Sequence, residues 1–155
     1  MNTRDAHTMA VELMIKHKLA EQRWGFEFDR SVKRFGVCKY RRKVIGLSRA
    51  LTELNDAEKV RDTILHEIAH AIAGHKAGHG PEWKKVCLQI GAKPERCYST
   101  AEVVMPPMRY YAKCGACGKE FHKARLHKKE ARRSCKCQEG KNWNDRVLIE
   151  FKARY

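Results

Sequence analysis

Residues 55–83 read NDAEKVRDTILHEIAHAIAGHKAGHGPEW, and the fold is decided there. Val60, Ile64, Ile68 and Ile72 recur every fourth residue, the spacing of a helix with one apolar face. Asn55 can cap the start of that helix, Glu58 stands three residues later, and Gly74 predicts its end. Inside it, His66-Glu67-Ile68-Ala69-His70 sets two histidines at i and i+4, so both imidazoles leave the same side. That is half of a zinc site on a rigid element. Glu67 lies about 100° round the helix from His66. It cannot point between the two rings, but it can reach a water held on a metal, as a general base must. Ile68 and Ala69 leave the opposite face free to pack into a core.

A third ligand is available in Gly78-His79-Gly80-Pro81-Glu82-Trp83. The flanking glycines permit a tight turn that swings His79 back toward the first two histidines. His75 is the rival, being closer in sequence, and spacing alone does not exclude it. His79 is preferred because it sits just before a new helix that can fix its position, whereas His75 lies on the exit path from Gly74. Three histidines leave the fourth position of a zinc ion for water, whose pKa falls to about 7 on the metal.

Working outward, residues 3–22 read as an amphipathic helix, with Met9, Leu13, Met14, His17 and Ala20 near helical spacing. Trp24, Phe26 and Phe28 then alternate with Gly25 and Glu27 as in a half-buried strand. Val32 to Cys38 and Val44 to Ser48, joined by the basic turn Lys39 to Lys43, are expected to form a hairpin. A further helix starts at Pro81, presents Trp83, Val86, Cys87 and Ile90 on one face, and stops at Gly91.

The chain has 155 residues and a formal charge of +15 from 33 Lys and Arg against 18 Asp and Glu. That length suits one domain plus a small appendage. No run approaches the ~20 apolar residues of a membrane span, and the N-terminus has no uninterrupted apolar stretch of the secretory type. An intracellular location, in cytoplasm or nucleoid (host cytoplasm for a viral protein), and no membrane partner are expected. Residues 1–105 carry a net charge of +6 and residues 106–155 carry +9 in half the length. Pro106-Pro107 marks the change of composition, which places a domain boundary there.

Seven cysteines could suggest a disulfide scaffold, but the odd count, the missing signal and the clustering argue otherwise. Cys38, Cys87 and Cys97 are scattered and read as buried thiols. Cys114-Gly115-Ala116-Cys117 and Cys135-Lys136-Cys137, seventeen residues apart, offer four thiolates to one closed, structural zinc. The second pair has one intervening residue instead of two, so His122 or His127 is left as an alternative for one sulfur. Around the cysteines lie Arg109, Lys113, Lys119, Lys123, Arg125, Lys128, Lys129, Arg132, Arg133 and Lys136, interleaved with Tyr110, Tyr111 and Phe121. Positive charge tracks phosphates and aromatic faces stack on unpaired bases. DNA, with single strands among its possible forms, is the expected partner, contacted through Lys119, Lys123, Arg125, Lys128, Lys129, Arg132 and Arg133. No base-reading pattern is present.

Trp24, Gly36-Val37-Cys38, Ile45-Gly46-Leu47-Ser48, the HEIAH segment, Gly78 to Trp83 and the cysteine ribbon together resemble the SprT-like metalloprotease family, over roughly residues 5 to 137. The resemblance implies an α+β, zincin-like protease domain at 1–105, with helices and a small antiparallel sheet, followed by a basic zinc ribbon at 106–155. It implies His66, His70 and His79 as ligands of a catalytic zinc and Glu67 as the catalytic acid/base. It also implies a DNA-dependent endopeptidase that degrades proteins bound or crosslinked to DNA, a role in DNA repair that a monomer can fill. The eight residues between His70 and His79 leave little room for an inserted recognition segment. Two other classes stay open: a non-catalytic DNA-binding zinc adaptor on a protease-like scaffold, and a metal-dependent hydrolase of something other than protein. Tyr98, Tyr110 and Tyr111 are candidates for stabilising the oxyanion.

Overall fold

A computed structural model describes residues 1–95, 103–127 and 133–154. Cys97, Tyr98, Lys128, Lys129 and Arg132 lie outside the described residues. The chain divides into two compact units, Met1–Pro106 and Pro107–Tyr155. Both combine short helical segments with a three-stranded sheet, so the class is α+β.

In the first unit, helix α1 (Thr3–Lys16) is capped by Asn2, whose side chain accepts from the Asp5 amide at 2.9 Å. It buries Ala6, Ala10, Leu13 and Met14 along one stripe. The expected run to Gln22 stops early because Lys18 takes a left-handed conformation (φ 59°). The Lys18 and Leu19 amides then turn back to the carbonyls of Ile15 (2.9 Å) and Met14 (2.8 Å). This double-bonded stop satisfies the helix's last carbonyls and drops Leu19 into the core.

Strands β1 (Gly25–Asp29), β2 (Gly36–Lys39) and β3 (Val44–Ser48) form a sheet of order β1-β3-β2. The β2–β3 hairpin is antiparallel, pairing Val37 with Gly46, but β1 runs parallel to β3, pairing Phe26 with Ile45. The sheet is therefore mixed, not the antiparallel one expected. The turn after β1 is tied locally. Asp29 accepts from the Ser31 amide (2.8 Å) and takes both guanidinium nitrogens of Arg34 (2.8 and 2.6 Å). From there the chain crosses to the far edge, and β3 returns into the gap.

Ser48 ends β3 and caps a short helix that periodicity did not reveal, α2 (Arg49–Leu54), accepting from the Leu51 amide at 3.1 Å. Asn55 belongs to the end of α2. Its side chain donates to the carbonyls of Leu51 (2.8 Å) and Val104 (3.0 Å) and accepts from the Val104 amide (2.8 Å). The cap of α3 (Ala57–Ala73) is instead Asp56, which accepts from the Lys59 amide at 2.8 Å. Val60, Ile64 and Ile68 are fully buried, while Ile72, in the last turn, is 42% exposed. Helix α4 (Pro81–Ile90) begins on proline and ends at Gly91 in the left-handed region (φ 77°), burying Trp83 and Cys87 completely.

In the second unit, β4 (Tyr110–Lys113) pairs antiparallel with β5 (Glu120–Lys123) and with β6 (Lys152–Ala153). Its core is Ala112, Cys114, Cys135 and Ile149, with Phe121 and Phe151 packed against them.

Candidate metal centres

Helix α3 delivers His66 and His70, both half-buried, side by side, with ring centroids 5.0 Å apart. The chain leaves α3 at Gly74 (φ 82°), makes one turn of 3-10 helix at His75–Ala77, and passes Gly78 at φ 52°, ψ −127°. Gly78 holds a conformation closed to residues with a Cβ. Gly80 then passes so near the Ala77 carbonyl that a Cβ would lie 2.9 Å from the oxygen. This tight return brings His79 Nε2 to 3.0 Å from His70 Nε2 and 3.3 Å from His66 Nε2. Nitrogens at ~2.0–2.1 Å from a tetrahedral zinc stand about 3.3 Å apart, so the three imidazoles fit such an ion. His75 is not among them: its ring packs edge-on against Tyr40 at 5.1 Å.

Burial, reinforced by the neighbouring imidazoles, holds His66 and His70 down at a pKa of about 4. Both are neutral near pH 7, with a lone pair to donate. Trp83 forms the floor of the group. Its indole stacks on His70 at 5.3 Å and meets His66 and His79 edge-on at 4.8 and 4.7 Å. Trp83 Nε1 and His70 Nδ1 are buried without a hydrogen-bond partner among the described residues, so the indole acts here through its shape. Sequence reasoning saw Trp83 only as a core residue. A cleft of about 470 Å³ lined by His79, Trp83, Lys84 and Pro94 opens beside the third histidine.

Glu67 is 7% exposed and lies on the β2 side of α3. Burial pushes its carboxyl up to about 8, against the pull of the Arg34 guanidinium and a hydrogen bond from the Cys38 amide. A cation held by the histidines would add to that pull. Cys38 is half-buried, not fully buried as expected, and its thiol is pushed up to about 12 by burial and by Glu67. Tyr110 and Tyr111 belong to the second unit.

In that unit the four cysteine sulfurs gather into one group, all within 4.8 Å of one another. Cys114 Sγ lies 3.7 Å from Cys137 Sγ, and Cys117 Sγ lies 3.7 Å from Cys135 Sγ. Four sulfurs at ~2.3 Å from a tetrahedral zinc stand about 3.8 Å apart, whereas a disulfide needs ~2.05 Å. The first knuckle is tied by bonds from the Cys114 amide to the Lys119 carbonyl and from the Gly118 amide to the Cys114 carbonyl, both 2.9 Å, with Gly118 at φ 73°. The Cys117 and Ala116 amides aim at the Cys114 sulfur and bring its pKa down to about 7. The second knuckle is tied by Gln138, whose buried side chain donates to the Val147 carbonyl (3.0 Å) and accepts from its amide (2.7 Å). Neither His122 nor His127 joins the group. The His122 ring instead lies 5.3 Å from that of Tyr111 and 3.3 Å from an Arg154 nitrogen.

The basic residues do not share one face. The register pairs Tyr110 with Lys123 and Tyr111 with His122, and successive residues point to opposite sides. Lys123 sits over the Phe151 ring at 5.7 Å, on the core side. Tyr111, Lys113, Lys152 and Arg154 occupy the other side, with the Arg154 guanidinium 5.3 Å over the Tyr111 ring. Lys119, Arg125 and Arg133 are exposed. Among the described residues, no helix is long and apolar enough to cross a membrane.

A 34-residue segment is 53% identical to the germ cell nuclear acidic-1 protein of Caenorhabditis elegans, covering 19% of this chain and 6% of that protein. The chain thus spans a small fraction of that relative's length. The profile of the SprT-like family matches residues 6–102, which is the first unit almost entire, and the chain belongs to that family.

Proposed function

We propose that the protein is a zinc-dependent endopeptidase that cleaves proteins bound or crosslinked to DNA, with a zincin-like first unit and a zinc ribbon that engages DNA. The observation that carries this reading is the convergence of the three Nε2 atoms beside a cleft, with a buried glutamate next to the first ligand on the same helix.

His66, His70 and His79 would hold the catalytic zinc, and Cys114, Cys117, Cys135 and Cys137 the structural one. When bound, the catalytic zinc supplies a polarised water and draws electron density from the scissile carbonyl. Glu67 takes the proton of the attacking water and passes it to the leaving amine. A carboxyl buried this deeply suits both halves of that transfer. The exposed face around Tyr111, Lys113, Lys152 and Arg154 supports DNA contact by combining a ring with phosphate-seeking charge.

The test incubates the zinc-loaded protein and Glu67→Gln with a DNA-binding protein, with and without single-stranded DNA. Fragments are expected only from the parent and to increase with DNA; loss in the variant should be about 10²- to 10⁴-fold. Equal cleavage by Glu67→Gln would sink the reading. No cleavage by either, with zinc and DNA still bound, would favour a non-catalytic DNA-binding adaptor.

A further inference from the structure

Strand β2 passes close against α3 at Gly36. A Cβ there would lie 2.6 Å from Glu67 Oε1, 2.7 Å from Glu67 Cγ and 2.8 Å from Thr63 Cγ2, far inside the ~3.5–4.0 Å of ordinary carbon contacts. Gly36 is not among the residues with positive φ, so the position demands space and not an unusual backbone.

Two residues on, the Cys38 amide donates to the same carboxylate. Its direction follows from the ladder. The Ser48 amide donates to the Phe35 carbonyl at 2.7 Å, and in an antiparallel pair the bonded positions alternate. Phe35, Val37 and Lys39 therefore face β3, while the amides of Gly36 and Cys38 turn outward. Glu67 thus has strand backbone against one oxygen and a backbone donor on the carboxylate.

We propose that β2 is the positioning element for Glu67: Gly36 admits the carboxylate by having no side chain, and the Cys38 amide fixes its orientation beside the histidines. The proposal rests on the reading of Glu67 as the proton-transfer group. Gly36 and Cys38 are positioning residues and touch no substrate. Moving the carboxylate by about 1 Å is enough to cost about 100-fold in rate.

The test compares the parent, Gly36→Ala and Gly36→Ala/Thr63→Ser in cleavage of a DNA-bound protein, with zinc affinity measured by competition against a chromophoric chelator. Gly36→Ala is expected to lower kcat by about 100-fold with KM and zinc affinity near those of the parent. Thr63→Ser removes the methyl contact but leaves both Glu67 contacts, so it should not restore the rate. Restoration by Thr63→Ser, a fully active Gly36→Ala, or a matching loss of zinc affinity would each overturn the proposal.

Hydrogen exchange at the Cys38 amide decides the matter even if Gly36→Ala fails to fold or the parent cleaves nothing. Glu67→Ala should speed that exchange by about tenfold or more, because the amide loses a charged acceptor. Unchanged protection overturns the proposal. Faster exchange in Glu67→Ala, with a parent that shows no protease activity, upholds the placement of the carboxylate by β2 and removes only the proteolytic reading.

Discussion

In the first unit two of the three donor residues, His66 and His70, project from a 17-residue helix whose Val60, Ile64, Leu65 and Ile68 are fully buried, and the third, His79, comes from the turn before α4. In the second, two of the four buried residues of the core, Cys114 and Cys135, are themselves donors. The histidine centre is therefore offered by a fold that hydrophobic burial already supports. The cysteine centre is part of what holds its fold together, because Ala112 and Ile149 with two phenylalanines supply little apolar area for a unit of this size. Two groups of candidate metal donors thus serve opposite ends of the stability argument.

Removing metal should break the comparison if it is wrong. Chelation is expected to unfold the second unit, since structural zinc sites contribute about 10–16 kcal/mol of apparent binding energy at neutral pH, while α3 keeps its amide protection. Amide exchange followed along the whole chain reads both units at once; a first unit that melts with the second would refute the distinction. A smaller effect comes from Trp83→Leu. The loss of the indole under three imidazoles should weaken zinc at the histidine centre by about tenfold, the range seen when groups that orient metal ligands are removed. The cysteine centre should be unaffected. Metal titration with cobalt separates the two, because thiolate and imidazole sites absorb differently.

A further effect is one of pH. His66 and His70 sit at about 4 in the zinc-free fold, below their ordinary 6.5. Between those values the unfolded chain binds more protons than the folded one, so stability is present above the window and declines as pH falls through it. Urea midpoints of the zinc-free protein should therefore drop between about pH 6.5 and pH 4. A His66→Gln/His70→Gln variant should show a flatter profile, and an equal slope in the variant would assign the effect elsewhere.

The two regions also differ in how much of them could be read in advance. His66, Glu67 and His70 stand on a periodic helix, and His79 is bracketed by glycines before a proline, so local chemistry announces all four. The four cysteines announce themselves by type and spacing. What escaped is tertiary. Gly36 looks like ordinary strand punctuation until α3 is laid against it. The stop at Lys18 lacks the glycine that normally marks it, and α2 is too short to show a period. The parallel β1–β3 pairing is made between segments some twenty residues apart, which no local periodicity encodes. Lys123 and Tyr111 are both plausible DNA contacts as residue types, yet the pleat of the sheet sends them to opposite sides.

The positions of the ligands along the chain have a kinetic consequence. His66, His70 and His79 fall within fourteen consecutive residues, whereas Gly36 is thirty-one residues away from Glu67. Closing short loops is fast and pairing distant segments is slow. During refolding the imidazoles can assemble around an ion before β2 has arrived, so metal capture should precede the moment at which the glutamate is held in place. Stopped-flow refolding with cobalt would then show the absorption of the loaded histidine site rising ahead of Cys38 amide protection. The protein would pass through a state that holds its metal but cannot yet cut.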